Sequence, residues 1–202
     1  MFDFDKAFRC GYAVKVAGID EAGRGPLAGP VVAGAVVFSK GTYIDRIDDS
    51  KKLLPSVREE LFWEIICKAE DFGIGIVGEA IIDKVNILKA TKIAMQEAIC
   101  DLKQLPGLLL IDAVNLPDLN IPQVAIIKGD TMSASIAAAS ILAKVVRDKI
   151  MDGYDFIYPM YEFKKHKGYP TKRHIEKINM YGPCEIHRKT FAPIRLIHLP
   201  YK

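Results

Sequence analysis

A chain of 202 residues, half of them hydrophobic, is sized for one domain, or a domain with an appendage, that folds around its own core without covalent staples. Its four cysteines, Cys10, Cys67, Cys100 and Cys184, are widely spaced with no Cys-x-x-Cys pair; this argues against a zinc knuckle or disulfide framework, and with no signal-peptide pattern and no uncharged apolar run of ~20 residues the expectation is a cytoplasmic protein outside any membrane. The net charge of +3 hides a split: residues 1–143 carry 15 Lys/Arg against 19 Asp/Glu, and residues 144–202 carry 13 against 6 and all four histidines, which suits a polyanionic partner or a solvated basic face.

In chain order, "YAVKVAGID" (12–20), "GPVVAGAVVFS" (29–39) and "DFGIGIVGEA" (71–80) read as short apolar strands bounded by Gly or Asp, in an antiparallel meander. Between the second and third, "LPSVREELFWEIICKAED" (54–71) has a Pro in its first turn and apolar residues at Leu61, Ile65 and Ile66, the spacing of an amphipathic helix. "IDKVNILKATKIAMQEAICDLK" (82–103) repeats that pattern for longer. Two more strands follow, "GLLLID" (107–112) and "QVAIIKGD" (123–130), separated by a Pro-containing turn. "TMSASIAAASILAKVVRDKIM" (131–151) is a helix whose Ser/Ala-rich first half can lie very close to a neighbouring strand. Beyond it, aromatics, prolines and cations mix, with a short helix from Thr171 to Tyr181. The class is α/β with a mixed sheet and a helical C-terminal part, and the charge shift near residue 150 marks the expected boundary between units 1–150 and 151–202.

Three strands run straight from apolar residues into an aspartate: Asp20 in "VAGID", Asp112 in "LLLID" and Asp130 in "AIIKGD". Ligands of open α/β sheets gather outside the carboxyl ends of the strands, so parallel neighbours of this kind would bring their terminal carboxylates to one edge. Crowded carboxylates raise one another's pKa unless something positive sits among them. With no His or Cys ligand pattern beside them, Mg²⁺ or Mn²⁺ matches these hard oxygen donors better than Zn²⁺. Glu21 joins Asp20 at such a site only if the strand ends there and the backbone turns, because successive strand residues face opposite ways. Each Asp taken alone is also an ordinary turn former or helix cap.

The loop that follows, "GRGPLAG" (23–29), is not a dinucleotide fingerprint, since its third Gly falls one position late and Pro and a strand come next. Glycines leave backbone N–H and C=O groups open to a ligand such as a sugar hydroxyl, and Arg24 offers donors suited to phosphate. The blocks "GIDEAGRGPLAGPVVAGAVV", "DSKKL", "NILKATKIAM", "LLLID", "KGDTMSASIAAASILAKVVRD", "YPMYEFKKHKGYPTKRH" and "IHRKTFAPI", in this order over nearly the whole chain, closely resemble the bacterial ribonuclease HII family.

The resemblance implies a ribonuclease-H-like fold, a mixed five-stranded sheet flanked by helices, with a C-terminal helical extension that is basic and binds substrate. It implies a Mg²⁺- or Mn²⁺-dependent endonuclease that cleaves the RNA strand of RNA–DNA hybrids. It also implies incision on the 5′ side of single ribonucleotides embedded in duplex DNA, leaving a 3′-hydroxyl and a 5′-phosphate. The family's four acidic positions fall on Asp20, Glu21, Asp112 and Asp130, its Gly-Arg-Gly on Gly23, Arg24 and Gly25, and its ribonucleotide-sensing tyrosine on Tyr169. Two departures stand out: Ala113 where the family commonly has Gly, and Met132 where a basic residue is frequent.

On charge alone, Lys51, Lys52, Lys144, Arg147, Lys165, Lys167, Lys172 and Arg173 are candidates to hold phosphates. The residues without the resemblance leave two alternatives, another nuclease of the same acidic architecture, such as a resolvase, or a non-catalytic nucleic-acid-binding module. The chain is expected to act as a monomer, with any replication or repair partner unassigned. The tail "LIHLPYK" (196–202) either docks a protein or packs.

Overall fold

The computed structural model describes residues 1–11, 15–48, 50 and 52–196; Lys51 and positions 197–202 of the tail lie outside them, as do positions 12–14 of the first expected strand. Five strands, β1 (Val16–Ala22), β2 (Val31–Val37), β3 (Asp71–Val77), β4 (Leu108–Asp112) and β5 (Gln123–Ile126), form one mixed sheet in the order β3-β2-β1-β4-β5. The first three make the expected antiparallel meander, while β4 and β5 lie parallel to β1. The apolar stretch of β4 is buried on both faces, as its unbroken Leu-Leu-Leu-Ile run requires of a parallel strand. At the edge, β3 alternates buried and more open positions.

Helix α1 (Phe2–Gly11) precedes the sheet and was not legible in the sequence; α2 (Pro55–Lys68) starts at its Pro as expected. The long helical stretch after β3 is in fact two helices, α3 (Glu79–Val85) and α4 (Ile87–Cys100). Asn86 separates them: at φ 75° it leaves the helical path, and its side chain accepts hydrogen bonds from the amides of Leu88 and Lys89 to cap α4. Helix α5 (Ala134–Ile157), capped by Ser133, carries the chain through residue 150 without interruption. Two short helices follow, α6 (Phe163–His166) and α7 (Lys172–Tyr181).

The sheet is sandwiched, with α4 on one face and α5 on the other. The small residues of α5 do what their size allows. A Cβ on Gly18 of β1 would stand 2.1 Å from the Ser135 backbone, and one on Gly34 of β2 2.5 Å from the Ala139 carbonyl oxygen, so helix and sheet touch backbone to backbone. That contact fixes α5 across the carboxyl end of β1, where its later turns reach the acidic residues. A separate apolar cluster, including Leu27, Ala28, Met151, Phe163, Ile178 and Ile186, joins the loop after β1 to the C-terminal segment.

Candidate active site

β1 and β4 run in parallel with Ile19 beside Ile111, so one step further along Asp20 and Asp112 stand abreast at the carboxyl ends of neighbouring strands. Together with Glu21, Gly23, Arg24 and Gly25 they border a cavity of about 240 Å³, whose other walls include Lys144 and Tyr169. Glu21 shares the cavity although β1 continues to Ala22, so the strand ends two residues later than expected. A larger cavity of about 440 Å³ lies at the opposite end of the sheet, between α1 and the turn after β2, but among the described residues its one acidic wall is Asp3, beside Lys6, Arg9 and Lys40. The chemistry therefore points to the smaller one.

Asp20 is buried, and burial first, then the charges of Glu21 and Asp112, push its pKa well above the usual carboxylate range; the Ser140 hydroxyl and the Glu21 amide pull part of the way back. The Glu21 amide donates to Asp20 Oδ1 at 2.7 Å, and Arg24 reaches Glu21 Oε1 at 3.3 Å. Asp112 Oδ1 accepts the Gly129 amide at 2.7 Å. Asp130 departs from expectation. β5 stops at Ile126, the chain turns through Lys128 in the left-handed region, and Asp130 is buried in a one-turn 3₁₀ segment, Gly129–Thr131, outside the residues that border the cavity. It is the neighbour of the amide that holds Asp112.

Asp20, Glu21 and Asp112 are thus gathered and Asp130 follows directly on the Gly129 that Asp112 holds, but among the described residues no three His, Cys, Asp or Glu side chains already have the spacing of a metal's coordination sphere. The donor set nevertheless fits a hard divalent cation: the oxygens are carboxylate, and the Asp20 pKa is raised by burial first and then by the charges of Glu21 and Asp112, a repulsion that such a cation would relieve.

Tyr169 faces the loop across the cavity, its ring carbon Cε1 3.8 Å from where a Cβ on Gly25 would lie. Lys144 and Arg147 stand 6.0 and 5.8 Å from the ring centroid. Lys144, on the cavity wall, is ion-paired with Asp148, and burial lowers its pKa. Arg147 is not a phosphate holder. It is fully buried, and its guanidinium donates to the carbonyls of Pro30 (2.9 Å), Lys167 (3.0 Å) and Ala28 (3.1 Å). Of the other cations, Lys52 pairs with Asp48, Lys167 with Asp152, and Lys165 and Arg173 with Glu162.

Sequence reading missed a second fully buried cation, Arg188, which donates to the carbonyls of Gly23 (2.6 Å), Arg24 (3.0 Å) and Gly29 (2.8 Å). Its only signal was the "HR" of "IHRKTFAPI". Backbone bonds from Leu27 to Gly168, from Gly29 to Ile186 and from Arg188 to Leu27 complete the lacing of the Gly-Arg-Gly loop to the C-terminal segment.

Inside that segment His174 and His187 are fully buried, and desolvation holds both pKa values down to about 4. The unfolded chain binds protons at these rings below about 6.5 while the folded chain refuses them. Stability should therefore be intact above pH 6.5 and fall as pH drops toward 4, by up to roughly 3 kcal/mol per ring. Urea melts at pH 7, 6, 5 and 4.5 check this. In an Asp20→Asn background, which removes the opposing contribution of the raised Asp20 pKa, a flat stability between pH 7 and 5 would contradict it; below about 4.5 the unfolded chain also takes up the proton that folded Glu162 refuses, which adds a separate loss.

The fold and the carboxylate edge define a ribonuclease-H-like protein. A family model described as Ribonuclease HII matches residues 17–194. A Ribonuclease HII of Clostridioides difficile is 58% identical over 176 residues, 87% of this chain and 69% of the relative. The crystal structure of the ribonuclease H2 from Pyrococcus horikoshii OT3 superposes with a TM-score of 0.74 at 31% identity, covering 90% of this chain and 96% of that one. An RNase HII from Archaeoglobus fulgidus, solved in complex with PCNA, gives 0.74 at 27%, covering 93% and 97%. The chain belongs to the ribonuclease HII family: it is a type 2 ribonuclease H, a hydrolase of RNA in RNA–DNA hybrids, in a family that depends on divalent metal. The resolvase and binding-module alternatives fall away. Among the described residues no helix is long and apolar enough to cross a membrane.

Proposed function

We propose that the chain, besides cleaving the RNA strand of hybrids, incises duplex DNA on the 5′ side of a single embedded ribonucleotide, leaving a 3′-hydroxyl and a 5′-phosphate. The observation that carries this reading is the placement of Tyr169 opposite Gly25 on the cavity that Asp20, Glu21 and Asp112 border. A 2′-hydroxyl is the group that distinguishes RNA from DNA at one position. Between a phenol and an open stretch of backbone it meets hydrogen-bonding groups from two sides, whereas deoxyribose leaves them unpaired.

In this reading Asp20, Glu21 and Asp112 are the main metal-holding carboxylates, with Asp130 completing a second site or placing the water. Two bound Mg²⁺ or Mn²⁺ ions would supply an activated water and neutralise charge on the phosphoryl and leaving oxygens. The backbone of Gly23, Arg24 and Gly25 and the Tyr169 hydroxyl hold the ribose. The Tyr169 ring stacks on the following deoxyribose, which favours an RNA-to-DNA junction. Lys144 lies where it can approach a phosphate, and residues 151–202 form the basic, substrate-binding extension.

Tyr169→Ala is expected to lower the incision rate on a duplex with one ribonucleotide at least about tenfold, the worth of a lost polar contact plus lost stacking. Cleavage of a continuous hybrid should fall much less. The assay runs both duplexes beside an all-DNA control, with and without Mg²⁺. An unchanged rate on the single-ribonucleotide duplex removes Tyr169 from the reading, and Mg²⁺-independent cleavage removes the metals.

A further inference from the structure

Three histidines that the proposed chemistry does not use lie together behind Tyr169. His174 and His187 are fully buried and His166 nearly so; the rings of His166 and His174 stack at 4.2 Å, and those of His174 and His187 stand 5.2 Å apart. Their nitrogens are taken up by backbone and by each other, and they form no metal site among the described residues.

The contacts fix every hydrogen. A peptide carbonyl only accepts and a peptide N–H only donates. Nε2 of His166 lies 2.8 Å from the Tyr161 carbonyl and bears its hydrogen, while its bare Nδ1 accepts the Gly168 amide at 3.2 Å. Nδ1 of His174 lies 3.0 Å from the Tyr169 carbonyl and must donate to it, so its Nε2 is bare. Nδ1 of His187 accepts the Cys184 amide at 2.9 Å, so this neutral ring carries its hydrogen on Nε2, 3.1 Å from the bare Nε2 of His174. The Cys184 thiol, kept protonated by burial that lifts its pKa to about 11, sits 3.1 Å from the same Nδ1. One directed chain results, from the Cys184 amide through His187 and His174 to the carbonyl of Tyr169. The low pKa of both rings keeps it neutral and intact at neutral pH.

We propose that His174, locked in its Nδ1–H tautomer by His187, is a positioning residue for Tyr169, and that this relay sets how sharply a single ribonucleotide is told from deoxyribonucleotides. The Tyr169 amide donates to the His166 carbonyl, and its carbonyl also accepts the Thr171 amide. Among the described residues the His174 bond is the one side-chain hydrogen bond on that carbonyl, and it ties the peptide of Tyr169 to the segment that also carries Arg188 and grips the loop. The inference rests on the reading of Tyr169 as ribose sensor.

Two substitutions split the two ends of the His174 ring. In His174→Asn the amide nitrogen falls near the place of Nδ1 and keeps the bond to Tyr169; in His174→Gln the polar end falls near Nε2, keeps His187 and loses Tyr169. Both delete the ring, so a purely structural role predicts the same result for the two. The readout is the ratio of initial rates on the single-ribonucleotide duplex and on a continuous hybrid, with thermal melts as the control for folding.

His174→Gln is expected to lower the ratio about five- to tenfold, the scale of one hydrogen bond to a placed group, His174→Asn less than about twofold, and His174→Gln to add nothing in a Tyr169→Ala background. Equal ratios for Asn and Gln, or a parental ratio in His174→Gln while Tyr169→Ala lowers it, overturn the relay alone. An unchanged ratio in Tyr169→Ala overturns the sensor reading and the relay with it. Should the variants not fold, ¹⁵N NMR of the histidines in the parent protein decides: neutral Nδ1–H at His174 and Nε2–H at His187 support the relay, and any other tautomer at His174 overturns it.

Discussion

Asp112→Asn should lower turnover on an RNA–DNA hybrid by about 10³-fold or more, a loss of some 4 kcal/mol of transition-state stabilisation, while leaving hybrid affinity within about twofold. Asn keeps the size of Asp and retains an oxygen to accept the Gly129 amide, so the turn that carries Asp130 stays in place. What disappears is one negative charge beside Asp20. In the free protein that charge is a burden, because it helps to push the Asp20 pKa up; its removal should leave the melting temperature unchanged or raise it slightly. Lost activity with retained or improved stability is the signature of a carboxylate kept for metal rather than for the fold. Rates with Mg²⁺ and with Mn²⁺, hybrid binding by fluorescence anisotropy and a thermal melt check the three parts. Cleavage near the parental rate would remove Asp112 from the metal-holding set.

The same carboxylates show where local pattern informs and where it stops. An apolar run ending in Asp identified β1 and β4, and their parallel pairing delivers Asp20 and Asp112 side by side as expected. The run toward Asp130 looked identical, yet β5 ends at Ile126 and a left-handed Lys128 swings the aspartate into a 3₁₀ turn, because nothing in the spacing says where pairing stops. The Ser/Ala half of α5 was legible as a close-approach surface, since small side chains admit few other uses. The break at Asn86 was not, because the apolar period continues on both sides of it and only the cap and the positive φ reveal two helices. Ala113, in place of the family's Gly, stands at φ 50°, a region where a Cβ is strained, so the glycine preference has a backbone reason. Charge alone makes Arg147 only a candidate phosphate holder, because charge in a sequence carries no direction; the nearby carbonyls that turn it inward belong to segments more than a hundred residues earlier and twenty later.

Arg188→Lys is expected to cost about 3 kcal/mol, or some 6–12 °C in melting temperature for a chain of this size, and to lower single-ribonucleotide incision more than hybrid cleavage. Burial pulls the Arg188 pKa down to about 9, still protonated at neutral pH, and its donors go to backbone: Nη2 to Gly23 and Gly29, Nη1 to Arg24 and Nε to Gly29. The planar fork meets three carbonyls at once; an ammonium at one point cannot, and each buried carbonyl left unpaired costs about 1–3 kcal/mol. The consequence for specificity follows from peptide geometry. In a planar trans peptide the C=O of one residue and the N–H of the next point in opposite directions. By turning the Gly23 and Arg24 carbonyls toward itself, Arg188 sends the amides of Arg24 and Gly25, two residues that border the cavity, the other way. Releasing the carbonyls lets those peptides rotate, and the loss should appear mainly where a single 2′-hydroxyl must be read. Urea and thermal melts measure the first effect, and the ratio of rates on the two duplexes measures the second. A variant that melts within a degree of the parent with an unchanged ratio would show that the loop holds its amides outward without Arg188.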